Sequence, residues 1–175
     1  MAYLGILLLA AATDCESLDY ATVAAAAPGG SALYLKTAFL LILCGYSCKM
    51  EIFPLYTIGV DANFAAPAPA SALISTGLVN AGFLAVFRVY RIMEQTEAIG
   101  WVRNVLLLTG ILSLAVGALF LRRTNNYKRF LSYSTVENMG IAAIGLGIGG
   151  IGVWAAVFHV VCHTLVTVSY THLTL

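Results

Sequence analysis

A lysine and a proline interrupt a long apolar run, and together they limit how that run can fold. The run extends over residues 37–60, with Lys49 near its middle and Pro54 five residues later. A lysine at mid-membrane depth costs about 3 kcal/mol on insertion scales, so it usually faces a bundle interior or a water-filled cavity. The proline cannot donate a backbone hydrogen bond, which breaks the helix. Membranes tolerate such breaks only where protein or a cavity satisfies the freed groups, so the pair indicates an ion pathway.

Composition identifies the environment in which the chain folds. Of its 175 residues, 61% are hydrophobic and 10% are charged, whereas soluble domains carry about 25% charged residues. This difference excludes a soluble helical enzyme. The formal net charge is +1 and the chain has no basic arm, so no nucleic-acid partner is expected. The four cysteines form no disulfide framework, and we interpret them as small buried apolar residues.

The apolar runs are long enough to form transmembrane helices. Since a helix needs roughly 20 apolar residues to cross a bilayer, we predict an all-α, polytopic membrane protein with about five transmembrane helices and a partial one. One of these helices is broken at Pro54. The partial helix ends near Asp14 and lacks the positive start of a signal peptide, so we expect that it begins before Met1. The complete spans are predicted at residues 31–54, 71–92, 101–121 and 130–150, and from residue 152.

Polar and proline-containing segments connect the predicted spans. They cover residues 15–30, 61–70, 93–100 and 122–129. In the second of them, Pro67 and Pro69 suit a turn or the start of a helix. Asp61 at the beginning of that loop is interpreted either as an N-cap or as a functional acid.

Ionisable residues recur within the predicted spans. Besides Lys49, these are Glu137 and the pair His159 and His163, which lie four residues apart and therefore share one helix face. A lysine, a carboxylate and two imidazoles ionise over different pH ranges, and neighbouring groups shift each of them. Such a set on separate helices supplies the kinds of group that a proton relay uses. We therefore take these four residues as candidates for proton transfer.

Structural roles for the same residues remain open. Lys49 and Glu137 could form a structural ion pair, and the two histidines could hydrogen-bond between helices. Ser134 and Glu137 have the spacing of a capping box, which would place a helix start inside the predicted span. The two histidines lack the H-E-x-x-H pattern and a third ligand, so we expect no metal. No cofactor-binding motif is present, and redox chemistry is not expected in this chain.

Three ordered motifs carry a resemblance to a known family. Residues 49–75 read KMEIFPLYTIGVDANFAAPAPASALIS, residues 128–141 read KRFLSYSTVENMGI, and residues 158–165 read FHVVCHTL. They resemble the antiporter-like membrane subunits of complex I, Mrp-type cation/proton antiporters and energy-converting hydrogenases. The first motif is similar to the family pattern FPLHxWLPDAHxxAPxPVSALLS, which follows a lysine. The motif at residues 128–141 resembles KRLLAYSSIENxGI of the hydrogenase branch, and the motif at residues 158–165 resembles FHxxxHxxxKxLLF.

The resemblance implies a fold and roles for particular residues. Lys49 would be the central lysine of a broken helix, and His159 and His163 would be relay histidines on a later helix. The chain would be a fragment of a longer subunit, with residues 1–166 belonging to the proton-translocating transmembrane domain. The pair Glu137-Asn138 in the motif at residues 128–141 favours the hydrogenase-4 and formate hydrogenlyase branch.

The chain departs from the family pattern at several positions. Tyr56 replaces a family histidine, Ala65 replaces an acidic residue, and Thr167 stands where the third motif has a lysine. After residue 166 the likeness ends, and residues 167–175 are interpreted as a non-native tail. In this family the glutamate that partners the central lysine lies on an earlier helix, so a complete proton path is not expected from these residues alone.

The predicted function is that of a proton-translocating membrane subunit in an energy-converting oxidoreductase complex. The resemblance implies other membrane subunits and peripheral redox subunits as partners, protons as the transported ion with Na⁺ as a possibility, and a multi-pass location in the inner (plasma) membrane. A subunit of a multi-subunit Mrp-type Na⁺/H⁺ antiporter is the alternative. A membrane scaffold without transport would instead tolerate apolar replacement of Lys49, Glu137 and His163 together.

Overall fold

The structure is a computed structural model that describes residues 1–14 and 19–172, and the regular structure in these ranges is entirely helical. A 3₁₀ turn covers Ala27–Gly29, and a π-helical turn covers Ile74–Leu78. The α-helices are α1 Ala2–Thr13, α2 Tyr20–Ala26, α3 Ala32–Met50, α4 Tyr56–Ala65, α5 Ala68–Leu73, α6 Val79–Met93, α7 Ile99–Leu121, α8 Tyr127–Ile148 and α9 Ile151–His172.

Four of the described helical segments are long and apolar enough to cross a membrane. They are α3, residues 69–93, α7, and residues 151–169 of α9. The predicted all-α, polytopic membrane fold is confirmed, and the short apolar α1 corresponds to the predicted partial helix. The helix α8 has 22 residues, but its charged residues make it less apolar than these four segments.

Glycines lie at close contacts between the helices. The helix α7 packs along α8, α8 packs against α9, and α3 packs against both α1 and α6. A Cβ atom added to Gly110 of α7 would lie 2.8 Å from the carbonyl oxygen of Gly140 on α8. A Cβ atom on Gly145 would lie 2.9 Å from the Cβ of Ala156 on α9. Small residues therefore allow these three backbones to approach within contact distance.

The loop predicted at residues 61–70 is largely wrong. Residues 56–65 form the helix α4, which packs against α8, and Asp61 lies inside that helix rather than at a cap. The chain leaves the helix at Ala66, which is extended because a residue before proline avoids the α conformation. Pro67 is then the N-cap of α5 and Pro69 lies in its first turn, as predicted for a helix start.

The capping box considered as an alternative at Ser134 and Glu137 is not formed. The helix α8 begins earlier, because the side chain of Asn126 accepts hydrogen bonds from the backbone N–H groups of Lys128 and Arg129, at 3.0 and 3.5 Å. This N-cap satisfies the free donors of the first turn. Ser134 and Glu137 therefore lie well inside a continuous helix.

Two further predicted segments are partly helical. The connector predicted at residues 15–30 contains α2 and the 3₁₀ turn, while residues 15–18 lie outside the described part of the chain. The helix α9 continues through residues 167–172, and residues 173–175 lie outside the described ranges. The interpretation of residues 167–175 as a non-native tail stays a prediction.

Candidate functional site

The predicted helix break is present, and it begins three residues before Pro54. The helix α3 ends at Met50, and Glu51 adopts the left-handed conformation with φ 57° and ψ 40°. A cis peptide bond joins Phe53 to Pro54, and α4 begins at Tyr56. The backbone therefore passes from one helix into another within a few residues.

Neighbouring groups satisfy the backbone of the break. The N–H of Ile52 donates to the carbonyl of Ser47 at 3.0 Å, and the N–H of Phe53 donates to Oγ of Ser113 on α7 at 2.8 Å. Ser113 is itself fully buried. Irregular backbone inside a membrane protein requires such partners, since lipid offers none. The break is thus held by α7 as well as by α3.

Lys49 lies in the last turn of α3, on the exposed side of the described bundle. Gly82 of α6 packs against its backbone, and a Cβ on that glycine would lie 3.2 Å from the Cβ of Lys49. The lysine therefore stands beside the helix break, but its side chain faces away from the packed core.

Glu137 is half-buried in α8. A Cβ placed on Gly117 of α7 would lie 3.1 Å from the Cβ of Glu137. The ion pair considered between Lys49 and Glu137 is not formed in the described part of the chain. The ion pairs found there join other residues, Arg91 with Glu94 and Arg129 with Asp61.

The two histidines face one cavity, as their spacing predicts. A cavity of about 400 Å³ lies between α8, α9 and the α5–π segment, and both His159 and His163 line it. His163 is buried with 8% exposure. His159 is half-buried, and its Nε2 has no hydrogen-bond partner in the described part of the chain. Ser71, Ser75 and Asn138 are among the polar residues that also line the cavity.

Thr167 replaces the lysine that the family pattern places one turn after His163. Its Oγ1 donates to the carbonyl of His163 at 2.8 Å and lies 3.4 Å from Nδ1 of the same histidine. The threonine therefore contacts the ring at the end of the cavity. Lys49 and Glu137 are not among the described residues that line this cavity, so the structure brings together two of the four predicted proton-transfer residues.

Sequence reasoning missed a buried carboxyl group at the break. Glu51 is 1% exposed, and its Oε1 accepts a hydrogen bond from Nδ2 of Asn63 at 2.7 Å. Oδ1 of Asn63 in turn accepts from the hydroxyls of Ser71 and Ser75, at 3.1 and 3.2 Å. The available indication was a second charge only two residues after Lys49 within the same apolar run. No group of three or more histidine, cysteine or acidic side chains is placed to hold a metal ion among the described residues.

Several long apolar helices, one of them followed by a break in the backbone, define a class, the polytopic helical membrane proteins. The chain belongs to a family within that class. Residues 2–173 match the family described as "NADH:quinone oxidoreductase/Mrp antiporter, TM". The match to this family and the similarity to bacterial relatives show that the chain is a multi-pass protein of the inner membrane.

Curated relatives carry names from more than one branch of this family. The chain is 32% identical over 151 residues to NADH-quinone oxidoreductase subunit N of Ectopseudomonas mendocina (strain ymp), which covers 83% of the chain and 30% of the relative. It is 32% identical over 132 residues to the hydrogenase-4 component F homolog of Methylacidiphilum infernorum (isolate V4). That match covers 75% of this chain and 28% of the relative. The equal identities do not separate the two branches.

A solved structure has the same fold. The membrane-bound sulfane sulfur reductase, an archaeal respiratory membrane complex, contains a chain that superposes with a TM-score of 0.88 at 28% identity. The match covers 98% of this chain and 35% of that one. The chain thus spans about a third of the length of the proteins it matches.

Proposed function

We propose that this chain is part of a longer proton-translocating subunit in a multi-subunit membrane complex. The observation that carries the proposal is the cavity shared by His159 and His163, which lies in the same bundle as a broken helix that bears Lys49. Residues 1–166 would be a fragment of the proton-translocating transmembrane domain, since the chain spans 30% of its subunit N relative.

The histidine cavity has room for the water that a proton path needs. Its volume of about 400 Å³ has room for on the order of ten water molecules, since liquid water occupies about 30 Å³ per molecule. Imidazole is neutral or charged within the physiological pH range, so it can accept a proton and release it. Nε2 of His159 is buried without a partner among the described residues and is available to a water or a proton.

Lys49 and Glu137 would exchange protons with this cavity through water rather than by direct contact. Neither lines the cavity, so a proton would move between them and the histidines through water. A charge that appears on a neighbouring subunit changes the protonation equilibrium of such groups, and one pKa unit corresponds to about 1.4 kcal/mol. Coupling of a few kcal/mol is therefore enough to drive a proton from one group to the next.

The parent complex is proposed to be an energy-converting oxidoreductase of the hydrogenase-4 or formate hydrogenlyase type. Glu137-Asn138 within the segment 128–141 supports that branch. Redox chemistry would occur in peripheral subunits, and this chain would need no cofactor. The second candidate is a subunit of an Mrp-type Na⁺/H⁺ antiporter, which the description of the matching family also includes. Genes for hydrogenase or for antiporter subunits beside this one would separate the two.

Replacement of the buried histidine tests the proposal. His163→Gln, made in the complete protein with its partner subunits in lipid vesicles, should lower the rate of proton translocation about 10²-fold, because a proton-transfer group is lost. Val161→Ala is the control, since Val161 is exposed on the same helix and is absent from the described cavity lining. Equal translocation by the two variants would contradict the role of the cavity.

A further inference from the structure

The carboxyl group of Glu51 is buried in an unusual backbone position. Its residue is 1% exposed, and Oε2 has no hydrogen-bond partner in the part of the chain that the structure describes. The backbone of Glu51 is left-handed, a conformation that glycine adopts far more readily. Strained conformations of this kind persist where the surrounding structure holds them, often at functional sites.

Two residues of α4, Gly59 and Asn63, contact the side chain of Glu51. Gly59 of α4 lies against the side chain, and a Cβ on that glycine would meet Cγ of Glu51 and lie 2.8 Å from both Cδ and Oε1. Asn63, one turn later on the same helix, is also 1% exposed and donates to Oε1 at 2.7 Å. The glycine makes room for the carboxyl group, and the asparagine fixes one of its two oxygens.

Asn63 joins this carboxyl group to the histidine cavity. Its Oδ1 accepts hydrogen bonds from Ser71 on α5 and from Ser75 in the π-helical turn. Both serines also line the cavity that contains His159 and His163. Single π turns often occur at functional sites, and here the turn presents Ser75 to Asn63. The network therefore runs from the cavity wall to the helix break.

The chemistry of the site favours a proton over a metal cation. A hard cation needs several oxygen ligands around it. Here Asn63 directs its N–H group toward Glu51, and its oxygen already accepts from two hydroxyls. Oε2 of Glu51 is the oxygen left without a partner among the described residues, and one oxygen is sufficient to bind a proton.

We propose that Glu51 is a proton-holding site at the helix break, connected through Asn63, Ser71 and Ser75 to the cavity that contains the two histidines. The inference rests on the proposed function and adds a group to it. In the forward step the imidazolium of His163 gives its N–H proton to cavity water, and water passes one proton on to the carboxylate of Glu51, so that an N–H bond breaks and an O–H bond forms. His163 is then neutral and Glu51 is a neutral carboxylic acid, and the reverse transfer restores both.

The position of Glu51 explains what this site adds to Lys49. The two residues are two positions apart in the chain, but Lys49 is exposed and Glu51 is buried. A proton held by Glu51 removes a negative charge two residues from the lysine in the chain, and a proton released restores it. The protonation of Glu51 would therefore change the electrostatic potential at Lys49 on the outer face of α3.

The test uses Glu51→Gln in the complete protein with its partner subunits in lipid vesicles. Glutamine keeps an oxygen that accepts from Asn63, but it cannot hold the proton. Infrared difference spectra should lose one carboxylic-acid C=O band, and proton translocation should fall about 10²-fold. Glu97→Gln is the matched control, since Glu97 is exposed in the connector between α6 and α7; it should leave both readings unchanged.

A second variant separates transport from folding. Glu51→Gly removes the carboxyl group and relieves the left-handed backbone, which offsets part of the cost of the lost hydrogen bond to Asn63, so this variant should still fold while it fails to translocate protons. If both Glu51 variants translocate normally while His163→Gln does not, this inference is wrong and the proposed function stands. If His163→Gln also translocates normally, the proposed function fails with it.

Discussion

Replacement of Asn63 by alanine tests whether the network at the break holds the fold together. Asn63 is 1% exposed, and its side chain donates one hydrogen bond and accepts two. In Asn63→Ala, Oε1 of Glu51 becomes a second buried oxygen without a partner. Ser71 and Ser75 lose an acceptor, but helical serines can turn to a carbonyl in the preceding turn. The main loss is therefore at Glu51.

The expected magnitude follows from these contacts. A buried group left without its hydrogen-bond partner costs about 1–3 kcal/mol. The small void left by the amide adds on the order of 1 kcal/mol. We therefore expect Asn63→Ala to lower the free energy of unfolding by about 2–4 kcal/mol. At roughly 2–4 °C per kcal/mol for a chain of this length, the thermal midpoint should fall by at least about 4 °C.

The assay is thermal unfolding of the detergent-solubilised protein, followed by far-UV circular dichroism. Asn125→Ala is the control, because Asn125 is exposed in the connector between α7 and α8. Exposed substitutions of this kind change stability by no more than about 0.5 kcal/mol. Equal midpoints for Asn63→Ala and Asn125→Ala would refute the reasoning that the amide supports the buried carboxyl group.

Two further substitutions test the backbone of the bundle. Ser113→Ala should lower stability by about 1–3 kcal/mol, because the N–H of Phe53 loses its acceptor at the break; a midpoint equal to the wild type's would contradict this. Gly149→Ala should cost at least about 1–3 kcal/mol, because its φ of 75° and ψ of −175° suit glycine alone and a Cβ would meet the Arg103 guanidinium. Gly100→Ala, with open space at the Cβ, should be neutral or stabilising in the same thermal assay.

Much of the fold could be predicted from the lengths of the apolar runs. The runs match the thickness of a bilayer, so the spans α3, α7 and α9 follow from hydropathy. The helix α4 could not be found in this way. The loop was predicted to begin at Asp61 because of the two prolines, Pro67 and Pro69. The helix forms instead because residues such as Val60 and Asn63 pack in the interior. That packing is a tertiary effect that local sequence does not contain.

The site was predictable where helical spacing alone decides it. His159 and His163 lie four residues apart, and a helix places both on the cavity face. Glu51 was missed because it lies only two residues after Lys49 in the chain and belongs to the same polar interruption. The left-handed turn at Glu51 separates the two side chains, one exposed and one buried. The direction of that turn is not contained in residue spacing.

The most direct test of the account is proton translocation by Lys49→Ala in the complete protein with its partner subunits in lipid vesicles. Lys36→Ala is the matched control, since Lys36 lies on the same helix and its Nζ stands 6.0 Å from the ring centre of Trp101. The account predicts that Lys49→Ala loses translocation while Lys36→Ala keeps it. Normal translocation by Lys49→Ala would contradict the proposal that the broken helix carries protons.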